Sequence, residues 1–146
     1  MHPNCSSGRA LTVKYPSCSQ QLWGKMISSA EKEEVSMPHF RFRAVEPQTV
    51  QHLSKTLVDE LQSPMNAPRE DFTFEYIYTT FFQEGEVAPA YPFVEVLWFD
   101  RGQETQDRVA QIITRQVRGV IGEEVDVAVI FTALSQKDYY DNAQHY

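Results

Sequence analysis

From Met37 onward the hydrophobic and polar positions change period four times, and each change marks an element. "PHFRFRAV" alternates strictly, with Phe40 and Phe42 on one side and His39, Arg41 and Arg43 on the other, the mark of a half-buried strand. "EPQTVQHLSKTLVDELQS" then places Val50, Leu53, Leu57 and Leu61 at spacings of three and four, a helical stripe facing a sheet, with Pro47 in the first turn. Pro64 and Pro68 in "SPMNAP" are expected to end it. "DFTFEYIYTTFF" reads as one long aromatic strand with Phe72, Phe74, Tyr76 and Tyr78 on a common face, and "QEGEVAPA" as a linker.

The pattern then repeats. "YPFVEVLWF" is apolar on both faces and reads as a central strand. "DRG" is a turn. "QETQDRVAQIITRQVRGVIG" carries an inner stripe of Val109, Ile112, Ile113, Val117 and Val120, with Gly122 as its stop. "VDVAVIF" is the last strand, and "YYDNAQHY" reads as an irregular end. Strand, helix, strand therefore occurs twice. Each crossover should be right-handed and give a parallel pair. The expected fold class is α/β (α+β): two β-α-β units forming a four-stranded mixed sheet with two helices on one face. The other face is then bare; the aromatics in the strands point to a second copy covering it in a ring-like homo-oligomer, and the competing reading is a ferredoxin-like monomer with a partly polar outer face.

Residues 1–36 show no such period. Leu22, Trp23, Met26 and Ile27 support one short helical turn, and "AEKEE" after them is solvent-like. The chain thus divides into a polar N-terminal extension, 1–36, and a domain, 37–146. Codons for Lys32-Glu33-Glu34 are compatible with the purine-rich run that precedes bacterial start codons. On that reading Met37 is the true start and the extension is absent from the mature protein.

Charge and cysteine content narrow the function classes. The chain carries −7, and from Met37 onward nine basic side chains face seventeen acidic ones. Such a field repels nucleic acid and anionic membranes, and neither is an expected partner. No segment is long and apolar enough to span a bilayer or act as a secretory signal, so the cytoplasm is the expected compartment. Cys5 and Cys18, both in the extension, read as unpaired thiols. No Gly-rich phosphate loop, metal-spaced histidine set or Ser-His-acid arrangement is evident, and no cofactor is implied.

The "MPHF" start, the two β-α-β units and the small size resemble the tautomerase superfamily, which includes 4-oxalocrotonate tautomerase and macrophage migration inhibitory factor. "PHFRFRAV", "YPFVEVLWFDRGQETQD" and "YYDN" look more like an uncharacterised bacterial branch of it, and the resemblance covers Met37 to Tyr146. It implies a homotrimer with sheets lining a central barrel, and a cofactor-independent keto–enol tautomerase or isomerase acting on a small, anionic or carbonyl-bearing 2-oxo acid or enol. It also implies that Pro38, with its nitrogen freed, is the catalytic base. Such a secondary amine has an ordinary pKa near 8, lowered by an apolar pocket or a guanidinium, and can move a proton beside a carbonyl or attack an electrophilic carbon. Within a longer chain the same nitrogen is an amide without basicity, and Pro38 is simply a strand-start proline.

By the same resemblance Arg69, at the start of the second strand, is the cation that would hold a carboxylate. The early first helix, "EPQTVQH", lacks the arginine found in oxalocrotonate-type relatives, which argues against their diacid substrate. Arg41 and Arg43 are alternatives, or else outer-face partners of Glu75 and Glu95. Arg101, bracketed by Asp100 and Gly102, is either an anion contact at a helix start or a solvated turn residue behind an Asp100 cap. His39 and His52 read as packed or flanking side chains. Tyr139 and Tyr140 are candidates to cover a neighbouring subunit. The competing function is a non-catalytic homo-oligomeric ligand binder or structural protein on the same fold.

Overall fold

The computed structural model describes residues 36–145, which fall within one compact unit. The expectations for Cys5, Cys18 and the turn at Leu22–Ile27 lie outside the described residues. The strands β1 (His39–Arg43), β2 (Thr73–Ile77), β5 (Phe93–Trp98) and β6 (Ala128–Ala133) form one sheet in the order β2-β1-β5-β6. β1 runs parallel to β2 and β5 parallel to β6, while β1 and β5 are antiparallel. This is the expected mixed sheet of two β-α-β units, with β5 central. Helices α1 (Pro47–Met65) and α2 (Gln103–Ile121) supply the crossovers.

The alternation in the strands decides which face the helices cover. Phe40, Phe42, Val94 and Val96 are fully buried beneath Leu53, Leu57 and Leu61 of α1 and Val109, Ile113 and Val117 of α2. The Phe40 ring stacks on Phe72 and on Phe74, with centroids 6.1 and 5.0 Å apart. Trp98 leans on Phe131 at 5.0 Å. Burying each such side chain contributes roughly 1.5–3 kcal/mol against conformational entropy. Between the helices, the Glu60 carboxylate of α1 accepts from both Arg115 and Gln116 of α2.

Several local expectations are corrected. Pro64 does not end α1: the helix runs on to Met65 and stops at Asn66, which adopts the left-handed conformation while the Ala67 amide returns to the Gln62 carbonyl. Val120, placed in the inner stripe of α2, lies at its exposed end. The long aromatic strand is broken after Ile77, and its second half joins the "linker" in a hairpin, β3 (Phe81–Gln83) with β4 (Glu86–Ala88). The irregular end contains a second hairpin, β7 (Tyr140–Asp141) with β8 (Gln144–His145). Both hairpins turn through two residues of positive φ, Glu84-Gly85 and Asn142-Ala143. That pair of conformations matches the right-handed twist of the flanking strands.

The bare sheet face is not the aromatic surface anticipated. Register places His39, Arg41 and Arg43 of β1 beside Thr73, Glu75 and Ile77 of β2 and Leu97, Glu95 and Phe93 of β5. Phe40 and Phe42 of β1 and Phe74 of β2 went inward, since side chains alternate with period two, while Tyr76 of β2 stays exposed. The open face is an ionic ladder edged by apolar residues.

Candidate functional site

Parallel pairing of β1 with β2, and antiparallel pairing of β1 with β5, bring the starts of β1 and β2 to the same end of the sheet as the end of β5. Pro38, Arg69 and Arg101 all belong to that end. Pro38 directly precedes β1, is buried, and accepts the Thr73 amide through its carbonyl at 3.1 Å. Its nitrogen forms the Met37–Pro38 peptide bond. Arg69 opens the short 3-10 turn Arg69–Asp71 that leads into β2. Arg101 is half-buried in the turn from β5 to α2.

The side chains are less convergent than the backbone. The Arg69 guanidinium turns toward α1, where Nη1 donates to Asp59 Oδ1 at 2.5 Å and to Gln62 Oε1 at 3.3 Å. Nearby, burial first and the Glu70 charge second raise the Asp71 carboxyl above its ordinary value. Asp100 does not cap α2 through a helical amide. It accepts the Gly102 N–H at 2.8 Å, closing the turn at the helix start. Gly102 itself has φ 86°, a conformation costly for any side-chain-bearing residue.

Next to Pro38 on the open face stands a connected polar cluster. His39 Nε2 lies 2.9 Å from Glu75 Oε2, and His39 Nδ1 lies 2.5 Å from Thr73 Oγ1. With Nε2 donating to the carboxylate, Nδ1 is placed to accept the threonine hydroxyl. Arg41 Nε donates to the same Glu75 oxygen at 2.9 Å, and its guanidinium reaches Glu95 at 3.7 Å. Arg43 donates to Glu95 at 3.3 Å and lies 5.8 Å from the centre of the Phe93 ring. The bonds from His39, and then from Arg41, hold the Glu75 carboxyl below its ordinary value. Arg41 and Arg43 thus pair with Glu75 and Glu95 across strands.

His39 is the residue whose role the sequence understated: Thr73 and Glu75 have the same strand parity and meet it across β1 and β2, but the pairing register needed to see this is nonlocal. Tyr139, a candidate to cover a neighbouring subunit, packs its ring edge-on to Phe99 of its own chain at 5.5 Å. Tyr140 is exposed beside His145. Two open concavities of about 400 and 550 Å³ lie along α2, and their linings include none of Pro38, Arg69 and Arg101. Among the described residues no helix is long and apolar enough to cross a membrane.

Comparison with known proteins places this geometry. The chain is similar to a protein of unknown function from Vibrio cholerae O1 biovar eltor, at 44% identity over 84% of this chain and 100% of that one, with a TM-score of 0.71. It has the fold of a fused 4-OT asymmetric trimer (11% identity, 73% of this chain and 94% of that one, TM-score 0.62). It likewise shares the fold of a macrophage migration inhibitory factor-like protein from Entamoeba histolytica (10% identity, 75% and 99% covered, TM-score 0.58). Among curated proteins no similar sequence is found. Residues 37–145 match the family described as "Domain of unknown function (DUF1904)", to which this chain, with its tautomerase-like fold, belongs.

Proposed function

We propose that this protein is a homotrimeric, cofactor-independent keto–enol tautomerase or related isomerase of a small 2-oxo acid or enol, active in a form that begins at Pro38. The observation that carries the reading is the position of Pro38: it immediately precedes β1, at the sheet end shared with Arg69 and Arg101, one residue inside the family match that opens at 37. The family match and the change of periodicity both support a domain that starts at Met37, with residues 1–36 as an extension. Loss of Met37 then frees the prolyl nitrogen.

In that form the secondary amine takes a proton beside a carbonyl and returns it at the far end of the enol. Arg69 has to exchange Asp59 for a substrate carboxylate. The Arg69–Asp59 pair is half-exposed on both sides, and such pairs hold by about 1 kcal/mol or less, so the exchange is inexpensive. Arg101 is the second candidate cation. The fused 4-OT structures of this fold are trimers, which supports a pocket at Pro38 closed by a neighbouring subunit.

The competing reading, a non-catalytic binder or scaffold, has its own support: Pro38 in the full chain carries an amide nitrogen, and Arg69 already has an acidic partner. Intact mass of the untagged protein from its native cells separates the two. A mass starting at Pro38 favours the enzyme, and a mass retaining residues 1–36 removes the proline mechanism and favours the scaffold.

A further inference from the structure

The polar cluster on the open face contains a chain of contacts that the Pro38 chemistry does not use. β1 and β2 pair with His39 opposite Thr73, so these two side chains stand abreast, and Thr73 is exposed. Thr73 Oγ1 lies 2.5 Å from His39 Nδ1, and His39 Nε2 lies 2.9 Å from Glu75 Oε2, two residues further along β2. Glu75 is itself fixed by Arg41 Nε at 2.9 Å, so the acidic end of the chain has a second anchor. With the Nε2 proton given to Glu75, the neutral ring has only Nδ1 left as acceptor, and the threonine hydroxyl donates to it. Hydroxyl, imidazole and carboxylate are then joined in the order nucleophile, base and orienting acid, the arrangement that activates hydroxyl groups on unrelated folds. No local motif announces it, because its members come from two strands. On the other side of His39 the half-buried Leu97 of β5 completes the row, an apolar shelf beside the base.

We propose that Thr73 is a nucleophile for acyl transfer from small aryl esters, with His39 as its general base and Glu75 as the group that orients the ring. Thr73 Oγ1 attacks the ester carbonyl carbon while its proton passes to His39 Nδ1, and Glu75 stabilises the imidazolium that forms. The carbon–oxygen bond to the aryl alcohol then breaks, and the leaving oxygen takes the proton from Nδ1. Water, giving a proton to the same nitrogen, attacks the acyl-threonine. Oγ1 leaves with that proton, the carboxylic acid is released, and the site is restored with no change of oxidation state. The substrate class follows from the Thr73 backbone. Its amide is committed to the Pro38 carbonyl at 3.1 Å, so it does not serve the ester oxygen as that oxygen becomes negative. Base catalysis without such support suits esters whose leaving group departs readily, and not amides. The chemistry is independent of the Pro38 nitrogen, which in the full chain is an amide.

Release of p-nitrophenol from p-nitrophenyl acetate by the 146-residue chain tests it, with peptide mass spectrometry of the acetylated protein. Wild type is expected to exceed the buffer rate and to carry its acetyl group on Thr73. T73V keeps the shape and removes the hydroxyl, and H39N removes the base; each should lose about 100-fold or more of the catalysed rate. T73S retains the hydroxyl and should retain activity. H52N, which alters an exposed imidazole on α1, should leave the rate unchanged. Far-UV circular dichroism checks that each variant is folded, and the position of the acetyl group in wild type decides alone should T73V fail to fold. A wild-type rate no faster than buffer overturns the proposal, as does an acetyl group found elsewhere. A rate that survives in folded T73V also overturns it, by making His39 itself the nucleophile.

Discussion

Glu75 is held from two sides, by His39 Nε2 and Arg41 Nε at 2.9 Å each, and the pH behaviour of the fold follows from that. Its carboxyl lies below the ordinary value near 4.5, so its ionised form stabilises the folded chain. That contribution is complete above about pH 4.5 and is lost as pH falls through the lower folded value. Urea unfolding of wild type and E75Q between pH 3 and 7 should therefore diverge near neutrality and converge in acid; parallel curves would refute the assignment. Alternation in β1 made the pairing of Arg41 and Arg43 with Glu75 and Glu95 legible in the sequence, because cross-strand neighbours of equal parity share a face. The fate of Arg69 was not legible. Its partner Asp59 sits ten residues earlier on α1, and whether the guanidinium turns to the helix or to the sheet end depends on a turn geometry that no periodicity encodes.

The helices, β1 and β5 were legible from their periods, whereas the alternation of "DFTFEYIYTTFF" carried the second strand past its end at Ile77, and features set by single backbone conformations were missed. Leu57, fully buried in the stripe of α1, illustrates the first kind: L57A should lose about 2–5 kcal/mol of unfolding free energy, and a loss near zero would mean the stripe does not face the core. The β3–β4 hairpin illustrates the second. "QEGE" looked like linker, yet Glu84 and Gly85 at φ 51° and 87° form a two-residue turn, and the bare faces of Phe82 and Val87 hid its alternation. The end of α1 is similar, set by left-handed Asn66 rather than by Pro64. At Gly102 an added Cβ would meet nothing within 4 Å, so G102A isolates backbone strain. Thermal denaturation should report a loss of about 1–2 kcal/mol, and an unchanged midpoint would show that φ is not constrained there.

At the scale of the whole molecule, the doubled strand–helix–strand pattern gave the two parallel pairs and the central place of "YPFVEVLWF", and the resemblance to tautomerases anticipated the fold; the order β2-β1-β5-β6 came from the structure. The reason given for association was wrong in detail: the open face carries a ladder of His39, Glu75, Arg41, Glu95 and Arg43, and the most exposed apolar groups, Tyr78, Phe82, Val87 and Tyr140, lie outside the four strands of that sheet. Sequence cannot tell which face an aromatic takes until strand boundaries fix the parity. The proposed function turns on one atom, the nitrogen of Pro38. The direct measurement is the rate of enol-to-keto conversion of a small 2-oxo acid by a chain beginning at Pro38, beside the same chain acetylated at its amino terminus and the 146-residue chain. Conversion by the free amine, with roughly 100-fold or greater loss in both blocked forms, is the predicted result. Equal catalysed rates in all three would contradict proline catalysis, and conversion no faster than the uncatalysed reaction in any of them would leave the fold to a binding role.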